Sequence, residues 1–260
     1  MAKFIAIGDN CVDYYQNLKK GYAGGCSVNF AVYINQLGGI AEYLGAVGKD
    51  EYGQIIKDGL KAQGVGFTHL KELPGNTAVT EILLNGNERV FLNYNQGVLP
   101  DLSLSEEDLI FIKDFDYLHT SIYGNMEKYL TKLRKEIRII YDFADKYNKP
   151  EYKSVIQNVN YAFLSYNKED SFIKDVMKDF AKGGCDLVVA TLGAEGSIAY
   201  DGNQYFRYYA NQVPVIDTLG AGDSFIAGFM HALSLGKNIS DCLWQGSKKA
   251  EDTIGHFGAF

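Results

Sequence analysis

Hydrophobic residues follow two rhythms along the chain. Short continuous apolar runs, of which Phe4-Ile5-Ala6-Ile7 is the first, read as buried strands. The same reading predicts strands at Tyr43–Val47 and about Tyr117–Thr120, Ile137–Asp142, Tyr161–Ser165 and Leu187–Thr191. Between them lie amphipathic stretches. Cys26–Leu37 is stopped by Gly38-Gly39, and Glu51–Gln63 puts Ile55, Ile56 and Leu60 on one face before Gly64. Ser105 opens a helix with Glu106, Glu107 and Asp108 near its positive end. About Asp170–Ala181 carries Phe172, Ile173, Val176, Met177 and Phe180 at helical spacing. Ile198–Tyr200 and Tyr205–Tyr208 form a hairpin around Asp201-Gly202, and helices from about Ala221 and from Ser240 follow. Alternation of this kind predicts an α/β fold with a mainly parallel sheet covered on both faces.

The rhythm breaks over residues 76 to 94. Thr77–Leu84 and Arg89–Tyr94 read as strands joined by Asn85-Gly86-Asn87, a strong hairpin signal. Their faces are less cleanly apolar, as is Cys11–Ala23. Residues 11–23 and 76–94 together predict a small β lid on one continuous domain, 1–260.

Composition narrows the function. A net charge of −7 makes nucleic acid a poor partner, since phosphate neutralisation needs clustered Lys and Arg. Nothing approaches a membrane span. The first residues carry too short an apolar run for a secretory leader. Cys11, Cys26, Cys185 and Cys242 form no metal-binding or redox pair, so a cytoplasmic protein with free thiols is expected. Nineteen tyrosines read as surface and half-buried packing.

The stretch Asp217-Thr218-Leu219-Gly220-Ala221-Gly222-Asp223-Ser224-Phe225 carries the most chemistry. A strand end (Val213, Val215, Ile216) is expected to run into a glycine-rich turn and then a helix with Phe225, Phe229 and Leu233 on one side. Unpaired N–H groups at such a helix start form an anion site. Asp223 beside them can take a proton from a hydroxyl; it can equally be a first-turn acid that only favours the helix. Neither a Walker A loop nor G-x-G-x-x-G occurs.

As a whole, this stretch resembles the D-T-x-G-A-G-D-x-F signature of the ribokinase-like, or PfkB, sugar kinases. The resemblance implies a three-layer α/β/α fold, Asp223 as catalytic base, and Gly220, Ala221 and Gly222 as anion hole. Gly24-Gly25-Cys26-Ser27-Val28-Asn29 resembles the family's G-G-x-x-x-N element, and Gly8 to Asp13 its G-x-x-x-x-D element. These imply Gly24, Gly25, Asn29 and Asp13 as sugar contacts, with Asp9 a weaker candidate that also reads as a strand-end turn residue. Thr191-Leu192-Gly193-Ala194-Glu195-Gly196 resembles the family's T-L-G-x-x-G nucleotide loop, implying Thr191, Gly193 and Gly196 beside ATP; alone it reads as a hairpin turn. Asp142-Phe143-Ala144-Asp145 looks like the family's acidic segment after a strand. The family's N-x-x-E element is displaced here, leaving Ser165 or Asn167 for the nucleotide and Asp170 as a possible metal contact.

Resemblance covers nearly the whole chain and is nearest to the family's bacterial fructosamine-kinase branch. That implies MgATP as phosphoryl donor and the 6-hydroxyl of fructoselysine as acceptor. Some members also hold a monovalent cation such as K+. Arg89, Asn93, Tyr94, Asn95, His119 and Tyr123 are candidates for the amino-acid tail by chain position. Another sugar or nucleoside kinase, fructokinase first, and a non-catalytic sugar-binding module are the alternatives. A homodimer through lid strands is compatible with exposed sheet edges.

Overall fold

The computed structural model describes residues 1–85, 88–148 and 152–260, with backbone alone at residues 84, 85, 88, 89 and 91. The strands are β1 (Lys3–Gly8), β2 (Cys11–Tyr15), β3 (Lys20–Gly24), β4 (Ile40–Gly48), β5 (Lys71–Leu73), β6 (Val79–Asn85), β7 (Glu88–Asn95), β8 (Tyr117–Ser121), β9 (Arg138–Asp142), β10 (Tyr161–Ser165), β11 (Leu187–Thr191), β12 (Ser197–Tyr200) and β13 (Tyr205–Tyr208). The helices are α1 (Cys26–Gln36), α2 (Glu51–Ala62), α3 (Glu106–Ile112), α4 (Glu127–Leu133), α5 (Lys153–Ile156), α6 (Ser171–Lys182), α7 (Ala221–Ser234) and α8 (Ile239–Ile254).

Among the described residues nine strands form one sheet in the order β13-β12-β11-β10-β9-β8-β1-β4-β5. Seven run parallel, and β12 and β13 turn back antiparallel at one edge. Side chains alternate across each strand, so each strand feeds two cores. Ile5 and Ile7 of β1 face one core with Ile112, Leu130, Ile173 and Met177 of the helices. Phe4 and Ala6 face the other with Phe30, Leu60, Phe229 and Leu243. Layers of helix, sheet and helix result, in the α/β class that the alternation predicts.

A second, four-stranded sheet has the order β3-β2-β6-β7. Its parallel β2–β6 pair joins two antiparallel hairpins, and the register slips between Glu81 and Ile82, where β7 carries the extra residue Leu92. The turn at Gly86 and Asn87 lies outside the described residues, as does the Arg89 side chain.

Three expectations change. No strand leads into the glycine turn: Val215 and Ile216 are 58% and 57% exposed coil, and the N–H groups of Ile216 and Asp217 bond to Ile254 O instead of a sheet. Pro214 has no N–H to offer a ladder. The short elements β5, α4 and α5 arise where the sequence carries too few apolar repeats to announce them. Several tyrosines are core residues. Tyr33, Tyr43 and Tyr141 are fully buried, with hydroxyls donated to Ala259 O, to Gly8 O at 2.9 Å and to Glu127 Oε1 at 2.5 Å.

Candidate active site

Parallel strands bring their C-terminal ends to one edge of the sheet, and ligands of such sheets sit there. At that edge β1 ends at Gly8 and the chain turns through Asp9. The Asp9 carboxylate accepts from Cys26 N at 2.6 Å, Ser27 Oγ at 3.0 Å and Ser121 Oγ at 2.9 Å. It thereby caps α1 from outside the helix and ties it to β8. Burial pushes its pKa up while these donors pull it down. A carboxylate already serving three protein donors is a framework group first, although the sequence places it among the sugar contacts. Gly25 precedes α1 at φ 103°, and a Cβ there would stand 2.5 Å from Asn10 Cα, so only glycine makes this junction.

On α1, Asn29 Nδ2 donates to Asp223 Oδ2 at 2.8 Å. Asp223 occupies the third position of α7, behind the Gly220 cap and the first residues Ala221 and Gly222. Gly220 lies at φ 75°, and a Cβ on it would come within 2.5 Å of Tyr33 Oη. Gly222 and Asp223 present N–H groups that have no partner within a helix. No atom lies within 4 Å of where a Gly222 side chain would begin, so that helix start opens on free space. Burial raises the Asp223 pKa to about 8, helped by the carboxylates of Asp142 and Asp9 and opposed by hydrogen bonds from Asn29 and Cys26. The Asp142 pKa is raised to about 6, again chiefly by burial. Asp142 sits at the end of β9 and accepts from Ala144 N at 2.8 Å.

Asp13 lies on β2 of the small sheet. It is buried and accepts a long contact from Cys11 Sγ at 3.6 Å. Gly24 lies on the adjacent strand β3, opposite Cys11. Tyr94 and Tyr123 are partly exposed, with hydroxyl pKa values raised by burial and then by nearby Cys11 or Cys26 and Asp9. Asn95 is exposed and its Oδ1 accepts from Gly97 N, forming a local turn. His119 is corrected outright. It is fully buried, stacked on Phe30 at 4.1 Å, and faces no open space.

The second half of the large sheet carries the positions expected beside the nucleotide. Thr191 ends β11, and Gly193–Glu195 makes one 3₁₀ turn closed by Leu192 N to Gly196 O at 2.8 Å. Ser165 and Asn167 are exposed at the end of β10. Asp170 accepts from Ile173 N at 3.1 Å and Tyr166 Oη at 3.1 Å, and pairs with Lys168. These contacts make it the cap of α6. Sequence reasoning missed Arg207. Its guanidinium donates to Glu195 O at 2.9 Å and Ser197 O at 3.0 Å, and pairs with Glu169 at 2.7 Å. It braces the loop from a strand with no recognisable motif.

Cys26 Sγ and the carboxylates of Asp142 and Asp223 offer ligand atoms within 4.8 Å of one another. Magnesium takes oxygen ligands in strict octahedral geometry and retains several waters. A thiol beside two carboxylates, one hydrogen-bonded by Asn29, is not an all-oxygen cage for it. The donor set fits magnesium carried by nucleotide phosphates and water. Among the described residues no helix is long and apolar enough to cross a membrane.

Known proteins resemble this chain along almost its entire length. A family model described as pfkB family carbohydrate kinase matches residues 3–259. Fructoselysine 6-kinase of Escherichia coli (strain K12) is 39% identical over 261 residues, covering all of both chains. Fructosamine kinase FrlD of Bacillus subtilis (strain 168) is 34% identical, covering 99% of this chain and 93% of that protein. Among solved structures, Arabidopsis thaliana ribokinase complexed with ribose and ATP superposes with a TM-score of 0.87 at 18% identity, over 99% of this chain and 94% of that one. A putative ribokinase II from E. coli in complex with ATP and Mg2+ gives 0.84 at 19% identity, over 100% and 94%. A match along almost the entire length, with two relatives above 30% identity, makes this chain a member of the pfkB family and an ATP-dependent carbohydrate kinase.

Proposed function

We propose that the protein transfers the γ-phosphoryl group of ATP to the 6-hydroxyl of fructoselysine or a related fructosamine. The observation that carries the chemistry is Asp223, bonded to Asn29 and set beside open space at the start of α7. The hydroxyl oxygen forms a bond to the γ-phosphorus while the bond from that phosphorus to the bridging β-γ oxygen breaks. ADP leaves, and the hydroxyl proton passes to Asp223. The backbone of Gly220, Ala221 and Gly222, with the helix dipole, stabilises the charge on the transferring group. Magnesium bound with ATP offsets the phosphate charges. Asp13, Gly24, Gly25 and Asn29 orient the sugar, and a carboxylate such as Asp13 suits adjacent hydroxyls because it accepts two hydrogen bonds. Thr191, Gly193, Gly196, Ser165 and Asn167 line the nucleotide.

Residues 11–23 and the described part of 76–94 act as the lid, closing over the sugar to exclude water and spare ATP from hydrolysis. The choice of acceptor is supported by the two relatives above 30% identity, one a fructoselysine 6-kinase and one a fructosamine kinase. Leu83, Val90 and Leu92 are exposed on the lid strands, which supports a homodimer through this sheet; sedimentation velocity reads it. Dependence on K+ belongs to the proposal and is read by exchanging K+ for tetramethylammonium.

A coupled assay with fructoselysine and fructose side by side tests the acceptor. A kcat/KM at least about a hundredfold higher for fructoselysine, equal to ~2.7 kcal/mol, is expected. Equal or reversed preference removes the fructosamine and leaves an ordinary sugar kinase. No phosphorylation across a sugar panel would leave a binding module.

A further inference from the structure

The stretch from Ile254 to Phe260 touches both halves of the site without containing any residue assigned to it. On one side it carries the glycine turn. Ile254 O accepts from Ile216 N at 2.8 Å, and the Asp217 carboxylate accepts from Gly258 N at 2.7 Å and from Leu219 N at 3.0 Å. The Tyr33 hydroxyl donates to Ala259 O, directly beneath Gly220. On the other side the Phe257 ring packs 5.3 Å from Tyr15 of β2 and 6.2 Å from Tyr22 of β3. Tyr15 lies two residues along β2 from Asp13.

We propose that this stretch is a strap that sets the distance between the sugar-bearing small sheet and the anion-binding turn, with Phe257 and Tyr33 as its positioning residues. The inference rests on the reading of Asp223 and Gly220–Gly222 as the phosphoryl-transfer machinery. Phe257 fixes β2 and β3, and with them the approach of Asp13 to the acceptor. Tyr33 fixes the backbone at Ala259 and so the floor under Gly220. One end of the strap touches the small sheet and the other the glycine turn, so the two ends act on different kinetic constants. Phe257 is 43% exposed, so truncating it leaves the core intact.

The test uses the full chain with Phe257→Ala, Phe257→Tyr, Tyr33→Phe and Asp223→Asn assayed in parallel. Phe257→Ala is expected to raise the sugar KM about tenfold, the size of a lost aromatic cluster contact, with the ATP KM held. Phe257→Tyr is expected to restore it. Tyr33→Phe is expected to lower kcat about fivefold, one hydrogen bond's worth, with both KM values held. A sugar KM unmoved by Phe257→Ala, or equal losses in Phe257→Ala and Phe257→Tyr, overturns the strap, as does a Tyr33→Phe variant that lowers only the melting temperature. Near wild-type turnover in Asp223→Asn would instead overturn the underlying reading of the turn, whatever the strap variants do.

Discussion

The side-chain amide of Asn29 donates to Asp223 Oδ2 across 2.8 Å, joining the first turns of α1 and α7 through residues 194 positions apart. A hydrogen bond to a carboxylate favours its charged form. Removing the donor therefore raises the Asp223 pKa further. In Asn29→Ala the rising limb of kcat against pH is expected to move up by about one unit, the equivalent of one hydrogen bond to a charged group. A limb that stays in place would take Asn29 out of the proton-transfer machinery and leave it a sugar contact alone.

The raised Asp223 pKa has its own signature in the wild type. As a base the group works deprotonated, so kcat/KM for the sugar is expected to rise with pH through about 8. Asp223→Asn removes the base and should cut turnover by about 10²–10⁴. A flat profile from pH 6.5 to 9 would contradict the assignment.

Stability runs the other way at the same residue. Between the ordinary carboxylate value of 3.8 and about 8, the folded protein holds a proton here that the unfolded chain has lost. Wild-type stability contributed by this group therefore falls as pH rises through that window. Asp223→Asn is never charged, so it should melt a few degrees above wild type at pH 8 and converge with it near pH 4. Calorimetry at the two pH values checks the sign.

Asp9 and Asp13 look alike in sequence and separate by experiment. Asp9→Ala strips an acceptor from Cys26 N, Ser27 Oγ and Ser121 Oγ, and is expected to cost on the order of 3 kcal/mol in urea unfolding. Asp13→Ala should raise the sugar KM by more than about tenfold. A sugar KM that stays in place would remove Asp13 from the sugar contacts.

His119 sits neutral in the core, its pKa driven down to about 3 by burial, with neither ring nitrogen bonded among the described residues. Replacing a buried unsatisfied polar group by an apolar one of similar shape is close to neutral or stabilising. His119→Phe is expected to keep kcat and both KM values and to melt no lower than wild type. A loss of fructoselysine affinity would return His119 to the pocket.

The motifs legible in the sequence are those whose parts are close along the chain. Gly24-Gly25 with Asn29 lies within one helix start, and Gly220 to Asp223 within another, so each is a contiguous string in which the family resemblance can be read. Buried parallel strands are equally visible, because Phe4-Ile5-Ala6-Ile7 is apolar on both faces. What spacing cannot carry is distance in space. That Asp142 and Cys26 stand beside Asp223, that Tyr33 lies under Gly220, and that Arg207 braces the 193–196 turn all depend on packing between remote elements. His119 had a readable signal in Tyr117-Leu118-His119-Thr120, a strand buried at every position. The expected strand at residues 213–216 failed because hydrophobic side chains there decorate exposed coil held by Ile254 O.

Eight consecutive residues of α1, Ser27 to Ile34, are buried, so the helix is enclosed by sheet on one side and α7 on the other. Its cover is made last. During synthesis α1 leaves the ribosome 194 residues before the residue that completes its Asn29 contact. On the proposed reading of Asp223, a fragment halted before Ala221 carries an uncovered apolar helix and lacks the base, so the long-range pairing that covers the helix would also complete the site.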